Sequence, residues 1–238
     1  MSLFNDPNSS RYVRATGALY LIIAIAGGFS IAFVPSQLYV PGDLSGSAKA
    51  LLSARPMFLA GIAGDIVMMS AELFVTAMLY QIFRATNPTL SLVAALARLT
   101  MVTTMAVMLM FHAGMTAFAN TDLLSAFTEE QRMQLAGIML YMHDSGVWVW
   151  QIFFTIHLWV LGALILKSGL FPRVFGFGLI IGGAGYLADS AFAFAFPDFA
   201  ALGMLRVGLL SIVTLSELGF ALWLLFAGTR NSLQPAAV

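Results

Sequence analysis

Long apolar runs broken by short polar punctuation organise this 238-residue chain, at about 14–34, 57–84, 90–118, 145–167, 174–196 and 204–227. A helix rising about 1.5 Å per residue needs about 20 apolar residues to cross about 30 Å of hydrocarbon, and each run meets that length. The runs are too long for barrel strands, and in lipid only a helix satisfies its backbone polar groups within one segment. The pattern predicts an all-α, polytopic transmembrane bundle of six spans, a single transmembrane domain over 1–238. The first run follows Arg11 and Arg14 and exceeds the about 7–15 residues of a cleavable signal's apolar core, so it is read as a retained span.

The connections carry turn and cap chemistry. Pro35, Pro41, Gly42 and Asp43 mark a turn after the first span, and Ser45 to Ala54 predicts a short helix. Pro56 suits the first turn of the second span, where its missing N–H is no loss. Asn87 and Pro88 sit in a tight loop over 85–89. Leu135, Ile138, Met139 and Met142 recur at helical spacing, which predicts a short interfacial helix near 128–142, with Asp144 or Ser145 capping the span that follows.

Composition supports lipid as the solvent. Hydrophobic residues make up 60% and charged residues 9%, where a soluble domain carries about a quarter charged; mean hydropathy is +0.91. Net charge is zero, so no basic surface points to nucleic acid. The absence of cysteine excludes disulfides, thiol catalysis and cysteine-held metals. Arg11, Arg14, Arg84, Lys167, Arg173 and Arg230 fall on one side of a six-span threading, and Lys49, Arg55, Arg132 and Arg206 on the other. The bias places both termini in the cytoplasm and Trp148, Trp150 and Trp223 near the interfaces.

Ionisable residues inside the runs change the picture most. Each costs about 2.5–3.5 kcal/mol at a helix centre on insertion scales, so each needs a partner or a wet cavity. Counted by helical rise, Glu72, His157 and Glu217 fall near mid-membrane, with Arg98 a turn or two away. Asp65, His112 and Asp189 form a second, outer layer, with His143 and Asp144 at the entrance of span four. Asp65 and Glu72, seven residues apart, share one helix face that must turn inward. For Glu72 and Arg98 the structural reading is an ion pair that locks two helices, and the functional reading is a proton or ion pathway. His143 and His157 lie about 21 Å apart along a continuous helix, too far for a shared metal. The metal candidates are therefore His112, Asp65 and Asp189, a mixed outer set with no H-E-x-x-H spacing.

Two weaker patterns remain. Arg14 and Gly17 in span one share their offset with Arg173 and Gly176 in span five, and Glu72-Leu73 and Glu217-Leu218 each precede an arginine by about a dozen residues, which hints at three repeated helical hairpins. Gly176, Gly178, Gly182, Gly183 and Gly185 predict close packing of span five, or a gating helix.

The segment Phe153-Phe154, His157, Gly162, Lys167-Ser168-Gly169, Pro172-Arg173, Gly176 and Gly185-Tyr186-Leu187, together with Arg98 after the Asn87-Pro88 loop, resembles the bacterial membrane family called domain of unknown function 4386. The resemblance implies a bacterial inner-membrane helical bundle. It implies no activity and transfers no catalytic residue.

Three functions fit these readings. The first is a small transporter or ligand- or ion-handling protein built on Glu72, His157, Glu217 and Arg98. The second is an intramembrane metal-dependent enzyme acting on a lipophilic substrate through the outer layer. The third is an accessory subunit of a membrane complex. No cofactor is expected beyond a divalent metal in the second case. The expected partners are the lipid bilayer, a small or lipophilic ligand, and a second copy or a membrane-complex partner; nucleic acid is not among them.

Overall fold

Apolar runs of this length fold as helices, and the computed structural model, which describes residues 6–7, 9–120 and 122–228, is helical along nearly all of them. Among the described residues, six helical segments are long and apolar enough to cross a membrane: Ser10–Leu38, Arg55–Phe83, Pro88–Ala119, Glu129–Ser168, Arg173–Phe194 and Ala200–Phe226. Arg230, used above to orient the chain, lies outside the described residues.

The first segment is composite. Helix α1 (Ser10–Gly27) runs through a π-helical stretch, Gly28–Phe33, into a short α2 (Val34–Leu38). A Val40-Pro41-Gly42-Asp43 turn follows, closed by the Asp43 N–H donating to Val40 O at 3.1 Å. Gly42 adopts φ +76°, which favours glycine at that position. Asp43 then caps the predicted short helix α3 (Leu44–Ser53), accepting from the Gly46 N–H at 2.8 Å. Helix α4 (Arg55–Phe83) carries Pro56 in its first turn, and α5 (Pro88–Met115) starts on its proline with Asn87 Oδ1 accepting from the Leu90 N–H.

The fourth span differs from expectation in its start. Residues 128–142 are helical, yet they are continuous with the span in one 40-residue helix, α6 (Glu129–Ser168). Asp144 and Ser145 therefore lie inside the helix and cap nothing. Thr128 and Gln131 form the actual start: each backbone N–H donates to the other's side-chain oxygen, a reciprocal capping box. No proline interrupts the helix after it. At about 60 Å it is about twice the hydrocarbon thickness. It ends at Gly169 (φ +65°), followed by α7 (Arg173–Phe194) and α8 (Ala200–Phe226).

The chain divides into two compact units. One contains the residues up to Ile22, Ala71–Val102 and those from Trp148 onward. Here glycines set the helix spacing. A Cβ on Gly182 would meet the Val213 backbone, and one on Gly185 would lie 2.8 Å from the Leu210 nitrogen, so one face of α7 lies directly against α8. Gly176 and Gly162 give the same close approach between α7 and α6, and Gly17 between α1 and α8. Close packing thus accounts for the glycines of span five and for Gly17 in span one. The other unit comprises Ile23–Ser70 and Thr103–Val147. Its buried core joins Ala48, Leu51, Phe58, Met115, Ala136 and Leu140. Within this unit α6 buries Ala136 and Leu140, while Ile138 and Met142 remain exposed.

Candidate functional site

Both units hold ionisable side chains that meet one another. In the unit that contains α7 and α8, one cluster forms around Arg98. The Arg98 side chain is fully buried, and so, within a few per cent, are Glu72 and His157. Arg98 Nε donates to Glu72 Oε2 in a buried ion pair. Its Nη1 donates to the Tyr20 hydroxyl at 2.9 Å and contacts His157 Nε2 at 3.0 Å. The other ring nitrogen, His157 Nδ1, lies 2.9 Å from Ala94 O. The guanidinium carbon also lies 4.7 Å from the Tyr20 ring centroid and 5.9 Å from that of Phe154, and Phe154 stacks on His157. Arg98 Nη2 is buried without a hydrogen-bond partner. Glu217, on α8, faces the same group: its carboxyl interacts with Arg98 and Glu72 and is hydrogen-bonded to Tyr20.

Glu72, His157, Glu217 and Arg98 therefore do come together. Glu72 and His157 are committed to Arg98, and the cavity that reaches His157, lined also by Thr76, Ser91 and Leu161, is about 10 Å³. That is about the space of one water. Tyr20 bridges the group and was not legible as a site residue, because a tyrosine in an apolar run carries no charge that demands a partner. Phe154 and Tyr186, which pack edge to face with centroids 5.1 Å apart, enter the sequence reading only as motif residues.

Asp189 belongs to a third arrangement in the same unit. It pairs with Arg206 and accepts from Gln151 Nε2 at 2.9 Å, while the Ser190 hydroxyl donates to Gln151 Oε1 at 3.0 Å. Arg206 also covers the Phe192 ring at 4.1 Å. This network joins α6, α7 and α8, and it takes Asp189 out of the expected set with Asp65 and His112.

His143 fills that place in the other unit. One ligating atom each from Asp65, His112 and His143 lies within 4.8 Å of the other two. The imidazoles of His112 and His143 stack face to face, 3.4 Å between centroids and 7° from parallel. Phe58 packs edge-on against His112. Around them, the Ser30 side chain lies against the Asp65 carboxyl while its hydroxyl donates to Ala26 O at 3.0 Å. Asp144 Oδ1 lies 3.2 Å from His143 Nδ1 and accepts from the Tyr39 hydroxyl at 3.4 Å. Tyr39 lies outside the spans; burial first, then the Asp144 charge and hydrogen bond and the Asp65 charge, raise its pKa above the ordinary phenol value. Ser30 and Tyr39 were not foreseen. Ser30 sits in the π-helical stretch, a backbone departure that hydropathy does not encode, and such stretches recur at functional sites.

Six apolar helical segments and polar side chains turned onto one another in their interior define a multi-pass α-helical membrane protein. The chain matches the family described as "Domain of unknown function (DUF4386)" over residues 15–228, and it belongs to that family. No curated protein and no solved structure matches it.

Proposed function

We propose that the protein is an ion-handling membrane protein of the transporter class, that its cargo is the proton, and that Glu217 is the working group. The cation distribution favours a plasma-membrane orientation with both termini in the cytoplasm. The observation that carries the reading is an imbalance: two carboxyls, Glu72 and Glu217, lie within the field of one guanidinium, and Glu72 alone is ion-paired to it. A purely structural pair needs only Glu72. Glu217 is the surplus acid, reached through the Tyr20 hydroxyl, and Arg98 keeps one unpartnered nitrogen that a second carboxylate can take. Exchange of Arg98 between the two acids, with a proton on whichever is released, is a two-state element of the kind transport requires. A cavity of about 10 Å³ beside the cluster admits a water or a proton and nothing larger.

The test is proton flux into liposomes carrying the purified protein, driven by a potassium diffusion potential and read with an entrapped pH dye. Flux above that of empty liposomes, abolished in Glu217→Gln and retained in Glu130→Gln, is the expected result. Wild-type flux no faster than that of empty liposomes, or undiminished flux in a folded Glu217→Gln protein, overturns the reading.

A further inference from the structure

We infer that Asp65, His112 and His143 bind a single divalent transition-metal ion of the zinc type. This inference is independent of the proton-handling reading, which concerns other residues.

Three observations meet at these side chains. First, their ligating atoms lie within 4.8 Å of one another, although they come from three different helices, α4, α5 and α6. A tetrahedral metal with bonds of about 2.0–2.2 Å needs its ligands about 3.3 Å apart. Side-chain rotation of about an ångström closes that difference, and it must tilt the two imidazoles out of their parallel stack.

Second, His112 is 9% exposed, and its buried Nε2 has no hydrogen-bond partner. An orphaned polar atom in an apolar interior costs about 1–3 kcal/mol. A metal bond removes that penalty, and no neighbouring side chain removes it in the structure as it stands.

Third, the ligands are already held from behind. The Asp144 carboxylate sits on Nδ1 of His143, which directs Nε2 of that ring to a ligand, and Tyr39 in turn donates to Asp144. The Ser30 side chain lies against the Asp65 carboxyl, with its hydroxyl donating to Ala26 O at 3.0 Å. Carboxylate behind histidine, and hydroxyl behind carboxylate, is the outer shell that metal sites use to orient their ligands. The close fit of Ser30 depends on Gly64, where a Cβ would lie 3.2 Å from the Ser30 Cβ.

The donor set selects the class of ion. Two imidazoles and one carboxylate suit zinc and its neighbours; calcium and magnesium favour all-oxygen sites. Charge agrees: Asp65 and Asp144 together offset a dication, so two acids otherwise costly in apolar helices become neutralised. Three protein ligands leave the fourth tetrahedral position to water, the pattern of zinc sites that do chemistry.

The experiment uses the full-length, untagged protein in detergent, stripped with a chelator and dialysed against Zn²⁺ or Co²⁺. The expected result is one ion per chain, with visible d–d absorption in the cobalt form. His112→Gln and His143→Gln should lose binding by at least about 100-fold, and Ser30→Ala and Asp144→Asn should weaken it about 10–100-fold. His157→Gln, which removes the histidine outside the cluster, should bind normally. Substoichiometric binding by wild type, or unchanged affinity in folded His112→Gln and His143→Gln proteins, overturns the inference. If those two variants do not fold, Ser30→Ala and Asp144→Asn decide: unchanged affinity in both overturns it.

Discussion

His157 Nδ1 lies 2.9 Å from the carbonyl oxygen of Ala94, and this contact fixes the tautomer of the ring. A carbonyl only accepts, so Nδ1 carries the hydrogen. A guanidinium only donates, so the opposite nitrogen, 3.0 Å from Arg98 Nη1, accepts. His157 is thus a neutral imidazole clamped between a backbone acceptor on α5 and a side-chain donor on the same helix. It fastens α6 to α5, which is a positioning task.

This assignment separates two substitutions of the same residue. The side-chain oxygen of His157→Gln falls near the place of Nε2 and can still accept from Arg98. His157→Leu leaves the guanidinium short of one buried acceptor. Leu should lower unfolding stability by about 1–3 kcal/mol, and Gln by clearly less. Thermal unfolding of the two variants in the same detergent measures the difference.

The Glu72–Arg98 pair should behave as a coupled unit. Removing Arg98 strands Glu72 in a site with almost no solvent exposure, a loss of about 3–5 kcal/mol, and removing Glu72 takes from Arg98 its ion-pair partner and leaves it Glu217 alone. Removing both strands neither. Glu72→Leu and Arg98→Met should each destabilise strongly, and the double variant should be less destabilised than their sum, with a coupling of about 1–3 kcal/mol. Strict additivity in a double-mutant cycle would mean that the pair does not form.

Much of this was legible beforehand, for reasons that particular residues make plain. The six spans follow from hydropathy alone. Glu72 and Arg98 were legible as partners because a charge in an apolar run must find its counterpart. Gly178, Gly182 and Gly185 were legible as a packing face because small residues at that spacing let helices touch. The misplacement of Asp189 has a definite source. Asp189 entered the outer set by its depth counted along its own helix, and depth alone does not say which neighbours a side chain faces; Arg206 and Gln151 take it instead. The capping box at Thr128 and Gln131 starts α6, which runs unbroken to Ser168, and His143 on it meets Asp65 and His112. Tyr20, Ser30 and the Ala94 carbonyl stayed hidden because nothing in their chemistry makes them anomalous in a membrane helix.

Glycine on α7 gives a sharp test of the packing. A Cβ at Gly182 meets backbone atoms of Val213, which cannot rotate away, whereas one at Gly208 meets nothing within 4 Å. Gly182→Ala should force α7 and α8 apart and cost about 1–3 kcal/mol or more, and Gly208→Ala should be neutral or mildly stabilising. Equal stability of the two variants would mean that α7 and α8 do not cross at Gly182.

Tyr39 supplies the pH dependence. Its phenol is held neutral chiefly by burial, then by the Asp144 charge and hydrogen bond and the Asp65 charge, so its folded pKa lies above the ordinary value of 10.0. The sign follows from linkage. Below about pH 10 both folded and unfolded chains keep this proton, and the group adds no pH dependence. As pH rises past that point the unfolded chain releases the proton while the folded one retains it, so stability falls with increasing pH. Tyr39→Phe should remove that part of the alkaline slope. The tyrosinate absorbance of wild type, less that of the variant, should show no step near pH 10 in the folded protein. A step there would place the hydroxyl in water and detach it from Asp144.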